Sequence, residues 1–365
     1  MNLILAKEKY WDVSSSLRLE RRFNPININD AKAEFFENLR VGRLINPVFL
    51  YQASSSPHLK SGLEKLTELR AIFRNSEDFI CSKYVELIDF DIKRINFLES
   101  RDERGHMEAQ SLTDLYGLPD KETVDDARIS LQSAKCKAPD PEDLSEKEVK
   151  HIFEYELELR GFDEWKVNIE EMPAKVSVDS SRQIISIRNG TFFSEASVQR
   201  LVSHEIDVHV RRYENGKLQP DKIFAFGFPG YLETEEGLAI FSEYMLGLLK
   251  PEDLRKYRSR LIASSLCNTL GFSDLFEYLL EQHPPLEAFD ITARIKRGLI
   301  DTGQYGGYTK DRVYFSGFSS VQRLNSREIY MLFSGKIGIG DIKHVNSIVG
   351  FSKAYLVPSW VNKKR

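Results

Sequence analysis

Apolar residues recur at helical spacing through the first part of the chain. Over residues 60–73 they fall at Leu63, Leu66, Leu69, Ile72 and Phe73, three and four apart, the period of a helix with one buried face. Residues 79–98 repeat the rhythm with Tyr84, Leu87, Ile88, Ile92 and Ile95. A further helix is predicted over 145–159, ending before Gly161. The stretch 135–145, with Pro139 and Pro141, reads as a linker. The pattern then shortens to three strand-like segments, 165–169, 175–178 and 183–187. The last two flank the turn-like Asp179-Ser180-Ser181-Arg182 and so predict a hairpin. Ser194 can cap a helix starting at Glu195 and running through Leu201, Val202, Ile206 and Val208 to about Tyr213, where Asn215-Gly216 would stop it. Pro229-Gly230 precedes another helix over 233–249, and the remainder reads as helical apart from a loop at 303–307.

These elements predict an α+β chain, mainly helical, with a small antiparallel sheet beside one helix. Residues 1–140 form a helical N-terminal region and 141–365 a catalytic region, the two packed together. At 365 residues there is ample material for a core. A net charge of −4 removes any global positive field, so neither nucleic acid nor a membrane is an expected partner. The chain lacks an apolar run long enough to span a bilayer, and its first residues turn charged too early for a secretory signal. Cys81, Cys136 and Cys267 are too scattered for a metal motif or a disulfide framework, so a cytoplasmic location is expected.

The candidate chemistry sits in the helix after the hairpin: His204-Glu205-Ile206-Asp207-Val208-His209, followed by Glu236 in Thr-Glu-Glu-Gly-Leu-Ala. The helical zinc motif His-Glu-x-x-His places its imidazoles four apart, on one face. Here the spacing is five, which on a regular α-helix separates the side chains by about 140°. Either the motif is accidental, with His204 and His209 ordinary helix residues and Glu236 a first-turn acid favoured by the helix dipole, or the helix carries a π-bulge there. In the second case His204, His209 and Glu236 supply three ligands to Zn²⁺, and Glu205 is the base that takes a proton from water on the metal.

The residues around this motif resemble a known family. His204 to Val210, Tyr213 with Asn215-Gly216, Gly227-Phe228-Pro229-Gly230-Tyr231 and Glu235-Glu236-Gly237-Leu238-Ala239 are similar to the QEGLA-motif family, which is related to the microtubule-associated tyrosine carboxypeptidase. A second block agrees: Arg297-Gly298, then Gly306 to Asp311, Tyr314 and Gly317. The resemblance implies a zincin-like zinc metallopeptidase with ligands His204, His209 and Glu236 and base Glu205. Glu235 stands where bacterial relatives usually carry Gln, which makes it a rival ligand. Asp207 stands where a small residue is common.

A carboxypeptidase must also hold its substrate's terminal carboxylate, and Arg297 and Lys310 are the cationic candidates. Tyr308 and Tyr314 are candidates to donate to an oxyanion. The strand over 183–187 could pair with an extended peptide. The leading expectation is a zinc carboxypeptidase that removes a C-terminal residue, with an aromatic residue as one candidate, from a peptide or protein. The alternatives are a zinc hydrolase of another peptide or amide bond, or a non-catalytic binding protein on the same fold.

Overall fold

The computed structural model describes residues 1–52, 57–101, 108–131, 140–172, 174–352 and 355–363. Helices dominate, with two small sheets, as an α+β chain requires. The chain forms two compact units. One comprises Met1–Leu131 and Lys256–Arg312, the other Gln132–Arg255 and Val313–Arg365. Each unit is thus assembled from two separated stretches of the chain. Much of the expected linker falls outside the described residues, as does Cys136.

In the first unit the helices Pro57–Arg74 and Phe79–Ser100 bear out the two periodic stretches. Their buried faces meet where the rings of Phe73 and Tyr84 stack at 4.8 Å. A second core gathers Phe35, Phe272, Phe276 and Phe289, with Phe35 4.8 Å from Phe276 and 5.2 Å from Phe289. Each such ring contributes roughly 1.5–3 kcal/mol by leaving water. The glycine loop predicted at 303–307 is organised around a fully buried ammonium. Lys296 Nζ donates to the carbonyl oxygens of Leu270 (2.6 Å), Gln304 (2.8 Å), Gly306 (3.0 Å) and Cys267 (3.3 Å). Burial pulls its pKa down to about 8, so it still carries charge at neutrality.

The second unit is built around the helix Glu146–Leu159, which opens on a capping box between Ser145 and Glu148. It buries Val149, Phe153 and Leu157 at four-residue intervals. Those side chains share a core with Val167, Ile185 and Ile187 of the sheet and with Val198, Val202, Ile206 and Val210 of the histidine helix. The short ladder of β1 (Leu144–Ser145) with β5 (Phe192–Phe193) is antiparallel. In the larger sheet β2 (Lys166–Glu170), β3 (Val176–Asp179) and β4 (Ile184–Arg188) lie in the order β2-β4-β3. The hairpin β3–β4 is antiparallel as predicted, but β2 runs parallel to β4, so the sheet is mixed rather than antiparallel. Period-two patterning reports which side chains are buried and is silent on which neighbour a strand joins. β4, with Ile185, Ser186 and Ile187 all buried, takes the central position. Both its edges are paired, so the strand predicted at 183–187 has no edge to offer a peptide.

Candidate metal centre

The helix that begins at Glu195 changes its winding at Val202. Glu195–Leu201 is α-helical, Val202–Val210 is π-helical, and Arg211–Lys217 is α-helical again. At the far end of the π segment the Arg211 N–H reaches Ile206 O, five residues back. An i→i+5 winding brings residues five apart close to one face, which removes the objection to the histidine spacing. All nine π-helical residues are buried. Val202, Ile206 and Val210 face the core, while His204, Glu205 and His209 line a cavity of about 320 Å³. Asp207 does not line it. Its carboxylate accepts from Arg160 Nε and from an Arg211 nitrogen, both at 2.8 Å, so it fastens the π segment to the neighbouring helix.

The predicted stop at Asn215-Gly216 is not a stop, since the helix continues to Lys217. These two residues serve packing instead. The Asn215 amide donates to Phe333 O and Leu356 O, both at 2.7 Å, and accepts from the Leu356 N–H at 3.0 Å. A Cβ on Gly216 would overlap the Phe224 backbone.

The second contribution comes from the helix Tyr231–Met245, which starts two residues before the expected position, after Gly230 in the left-handed region (φ 72°). It is pressed against the helix Val313–Gln322 at a pair of glycines. A Cβ on Gly237 would overlap Gly317, and one on Gly317 would overlap Glu233 O. That close approach fixes the depth of Glu236. Its Oε2 lies 3.6 Å from His204 Nε2 and 3.9 Å from His209 Nε2. Ligand atoms of His204, Glu205 and His209 also lie within 4.8 Å of one another. Three donors each about 2.0–2.2 Å from one tetrahedral ion stand roughly 3.3–3.6 Å apart, so the Glu236 distances fit a shared cation with little adjustment.

The outer nitrogens of both rings are also held. His204 Nδ1 is 2.7 Å from Glu243 Oε1, and His209 Nδ1 is 2.9 Å from Glu235 Oε1. Acidic partners there hold a proton on each Nδ1 and direct each Nε2 into the cavity. Glu235 is thereby occupied: one oxygen accepts from His209 and the other pairs with Arg212, so it supports a candidate ligand instead of competing to be one. Arg212 is fully buried and also donates to Leu332 O, Gly335 O and Ile337 O. Glu243 is fixed in turn by Arg200 at 3.1 Å.

Charge follows geometry. Burial works against a charged His204, but Glu236 and Glu243 outweigh it and raise its pKa to about 10. Burial likewise opposes ionisation of Glu236, and the two histidines outweigh it and lower its pKa. The cavity therefore favours a positive charge between the imidazoles and the carboxylates.

Of the predicted site residues, His204, Glu205, His209, Glu236 and Tyr314 line this one cavity. Arg297, Tyr308 and Lys310 belong to the first unit, in a network around Glu20 and Asp311. There Lys310 Nζ (2.7 Å) and the Tyr308 hydroxyl (2.8 Å) both donate to Glu20, while Arg297 lies 4.3 Å over the Tyr308 ring and 3.5 Å from Asp311. Glu243, Arg200, Arg212 and Lys336 were not anticipated. Glu243 carried a usable signal, since it falls two helical turns after Glu236 and so on the same face.

Among known proteins, the family described as microtubule-associated tyrosine carboxypeptidase matches residues 34–364. Microtubule-associated tyrosine carboxypeptidase 1 of Mus musculus is 27% identical over 181 residues, 47% of this chain and 38% of that protein. The Homo sapiens protein of the same name is 27% identical over 181 residues, 47% of this chain and 37% of its own. Putative tyrosine carboxypeptidase MATCAP2 of Homo sapiens is 26% identical over 160 residues, 41% of this chain and 30% of its own. The matched stretch thus spans under two-fifths of these curated relatives.

Proposed function

This chain belongs to the microtubule-associated tyrosine carboxypeptidase family, and we propose that it is a zinc-dependent carboxypeptidase with a zincin-like catalytic unit. The observation that carries the reading is the convergence of His204 Nε2, His209 Nε2 and Glu236 Oε2 in one cavity, with each imidazole braced from behind by a buried carboxylate. A histidine helix beside a small sheet, with an acid from the helix Tyr231–Met245, supports the zincin-like assignment. No helix of the described residues is long and apolar enough to cross a membrane.

His204, His209 and Glu236 are the residues that would hold zinc. When bound there, the ion polarises a peptide carbonyl and makes water a better acid. Glu205 lines the same cavity, with its Oε2 3.9 Å from His209 Nε2. It takes the proton of the attacking water and delivers it to the departing amine. Tyr314 lines the cavity as a candidate donor to the carbonyl oxygen. The relatives' names direct the first substrate trials to peptides ending in tyrosine.

The test is to purify the protein without chelator, count zinc, and assay peptides of varied C-terminus by mass spectrometry. The expected result is one zinc per chain and loss of a single terminal residue, abolished by Glu205→Gln with zinc retained. Absence of zinc, or cleavage that Glu205→Gln leaves unchanged, refutes the reading.

A further inference from the structure

Removing one residue from a chain end requires a partner for the free α-carboxylate, and a cationic donor makes the strongest hydrogen bond to it. The cavity holding the candidate metal ligands is otherwise rich in acids: Glu205, Glu235 and Glu236 all line it. Among its lining residues one lysine is present and no arginine, and that lysine is Lys336. Its side chain is 8% exposed. The ammonium donates to Ser180 Oγ at 2.9 Å and stands 3.5 Å from Glu235 Oε1. Glu235 cannot neutralise it fully, because the same oxygen accepts from His209 and the other pairs with Arg212. A buried ammonium with three donors thus makes one short hydrogen bond, to a neutral hydroxyl.

Its position is next to the candidate metal ligands. A single Glu235 oxygen separates Lys336 Nζ from His209 Nδ1, through contacts of 3.5 and 2.9 Å, so the ammonium stands beside that imidazole on the wall of the same cavity. The lysine is also held in place before any substrate arrives. Arg212 clamps the carbonyls of Gly335 and Ile337 on either side of it, its own N–H donates to Phe224 O at 2.6 Å, and its carbonyl accepts from Phe228 N–H at 2.9 Å. Ser180 follows β3, whose Val176, Ser177 and Val178 line the same cavity.

We propose that Lys336, with the Ser180 hydroxyl beside it, binds the terminal α-carboxylate of the substrate and makes this cavity a C-terminal exopeptidase site. The inference rests on the peptidase reading above, and its test is therefore a binding measurement that does not need turnover. The probes are an N-acetylated hexapeptide ending in tyrosine, as the free acid and as the C-terminal amide. They are titrated into zinc-loaded Glu205→Gln protein, with and without Lys336→Met, Lys336→Arg or Ser180→Ala. Zinc content is checked in each variant, because Lys336 touches Glu235.

The free acid is expected to bind about 10- to 100-fold more tightly than the amide, the worth of a charge-assisted hydrogen bond. Lys336→Met should bring that ratio near one, Lys336→Arg should restore part of it, and Ser180→Ala should lower it severalfold. A ratio that survives in zinc-replete Lys336→Met overturns the proposal and leaves the peptidase reading standing. If Lys336→Met does not keep its zinc, an unchanged ratio in Ser180→Ala overturns the proposal in its place. No preference for the free acid in the parent protein overturns it as well. A preference that Lys336→Met abolishes in a protein that hydrolyses no peptide sustains the carboxylate site and refutes the peptidase.

Discussion

Glu243 tests how far the proposed zinc site depends on residues outside its ligand set. Its carboxylate is fully buried, lies 2.7 Å from His204 Nδ1, and is held by Arg200 at 3.1 Å. Its second oxygen has no hydrogen-bond partner among the described residues, so the His204 and Arg200 contacts are its hydrogen bonds. A hydrogen bond to a charged group contributes about 1.5–3 kcal/mol, and loss of such a support lowers metal affinity about 10- to 100-fold. Glu243→Ala should reach the upper part of that range, since it frees the His204 ring to turn. Glu243→Gln keeps an acceptor for Nδ1–H and should lose about tenfold. Arg200 retains Asp253 at 3.6 Å, which limits the damage to folding. The assay is competition for zinc against a chromophoric chelator at fixed pH, with a thermal melt to confirm the fold. Glu154→Gln is the control, because that carboxylate is exposed on the helix Glu146–Leu159 and does not line the cavity. If folded Glu243→Ala binds zinc as tightly as the Glu154→Gln control, the bracing argument is wrong.

Three further outcomes are expected. Gly237→Ala places a methyl group against the Gly317 backbone and should destabilise the protein by about 1–3 kcal/mol in denaturant unfolding; an unchanged midpoint would show that the two helices are not in contact there. Lys296→Met removes the ammonium from the carbonyl oxygens of Leu270, Gln304 and Gly306 and should cost about 3 kcal/mol, with faster amide exchange across 303–307; normal exchange in that loop would dismiss the ammonium as its organiser. Burial raises the pKa of Glu20, but Lys310, Arg297 and Arg94 outweigh it and bring the group from 4.5 down to about 2. Its stabilisation is therefore complete above about pH 4.5 and lost as the pH falls towards 2. The melting-temperature gap between wild type and Glu20→Gln should close over that window, and a gap independent of pH would discount the charge.

The parts of the fold that were legible in the sequence are those whose causes are local. The helix Glu146–Leu159 was expected over 145–159 with its end before Gly161, and the three strands fell within one residue of their predicted bounds. The five-residue histidine spacing implied a local distortion, and the π segment supplies it. What remained hidden depends on distant partners. Asn215-Gly216 has the composition of a helix stop, yet its amide is spent on Phe333 and Leu356, more than a hundred residues away. Arg212 and Lys336 have no motif around them, and their roles come from a loop brought back to the cavity by the fold.

The central claim is that His204, His209 and Glu236 share one zinc ion while Glu205 stays off it. Anomalous diffraction at the zinc edge from crystals of the zinc-loaded protein tests this directly. A single peak is expected, about 2.0–2.2 Å from both Nε2 atoms and a Glu236 oxygen, with Glu205 outside coordination distance. A peak coordinated by Glu205 or Glu235 in place of Glu236, or no peak in this cavity, would contradict it.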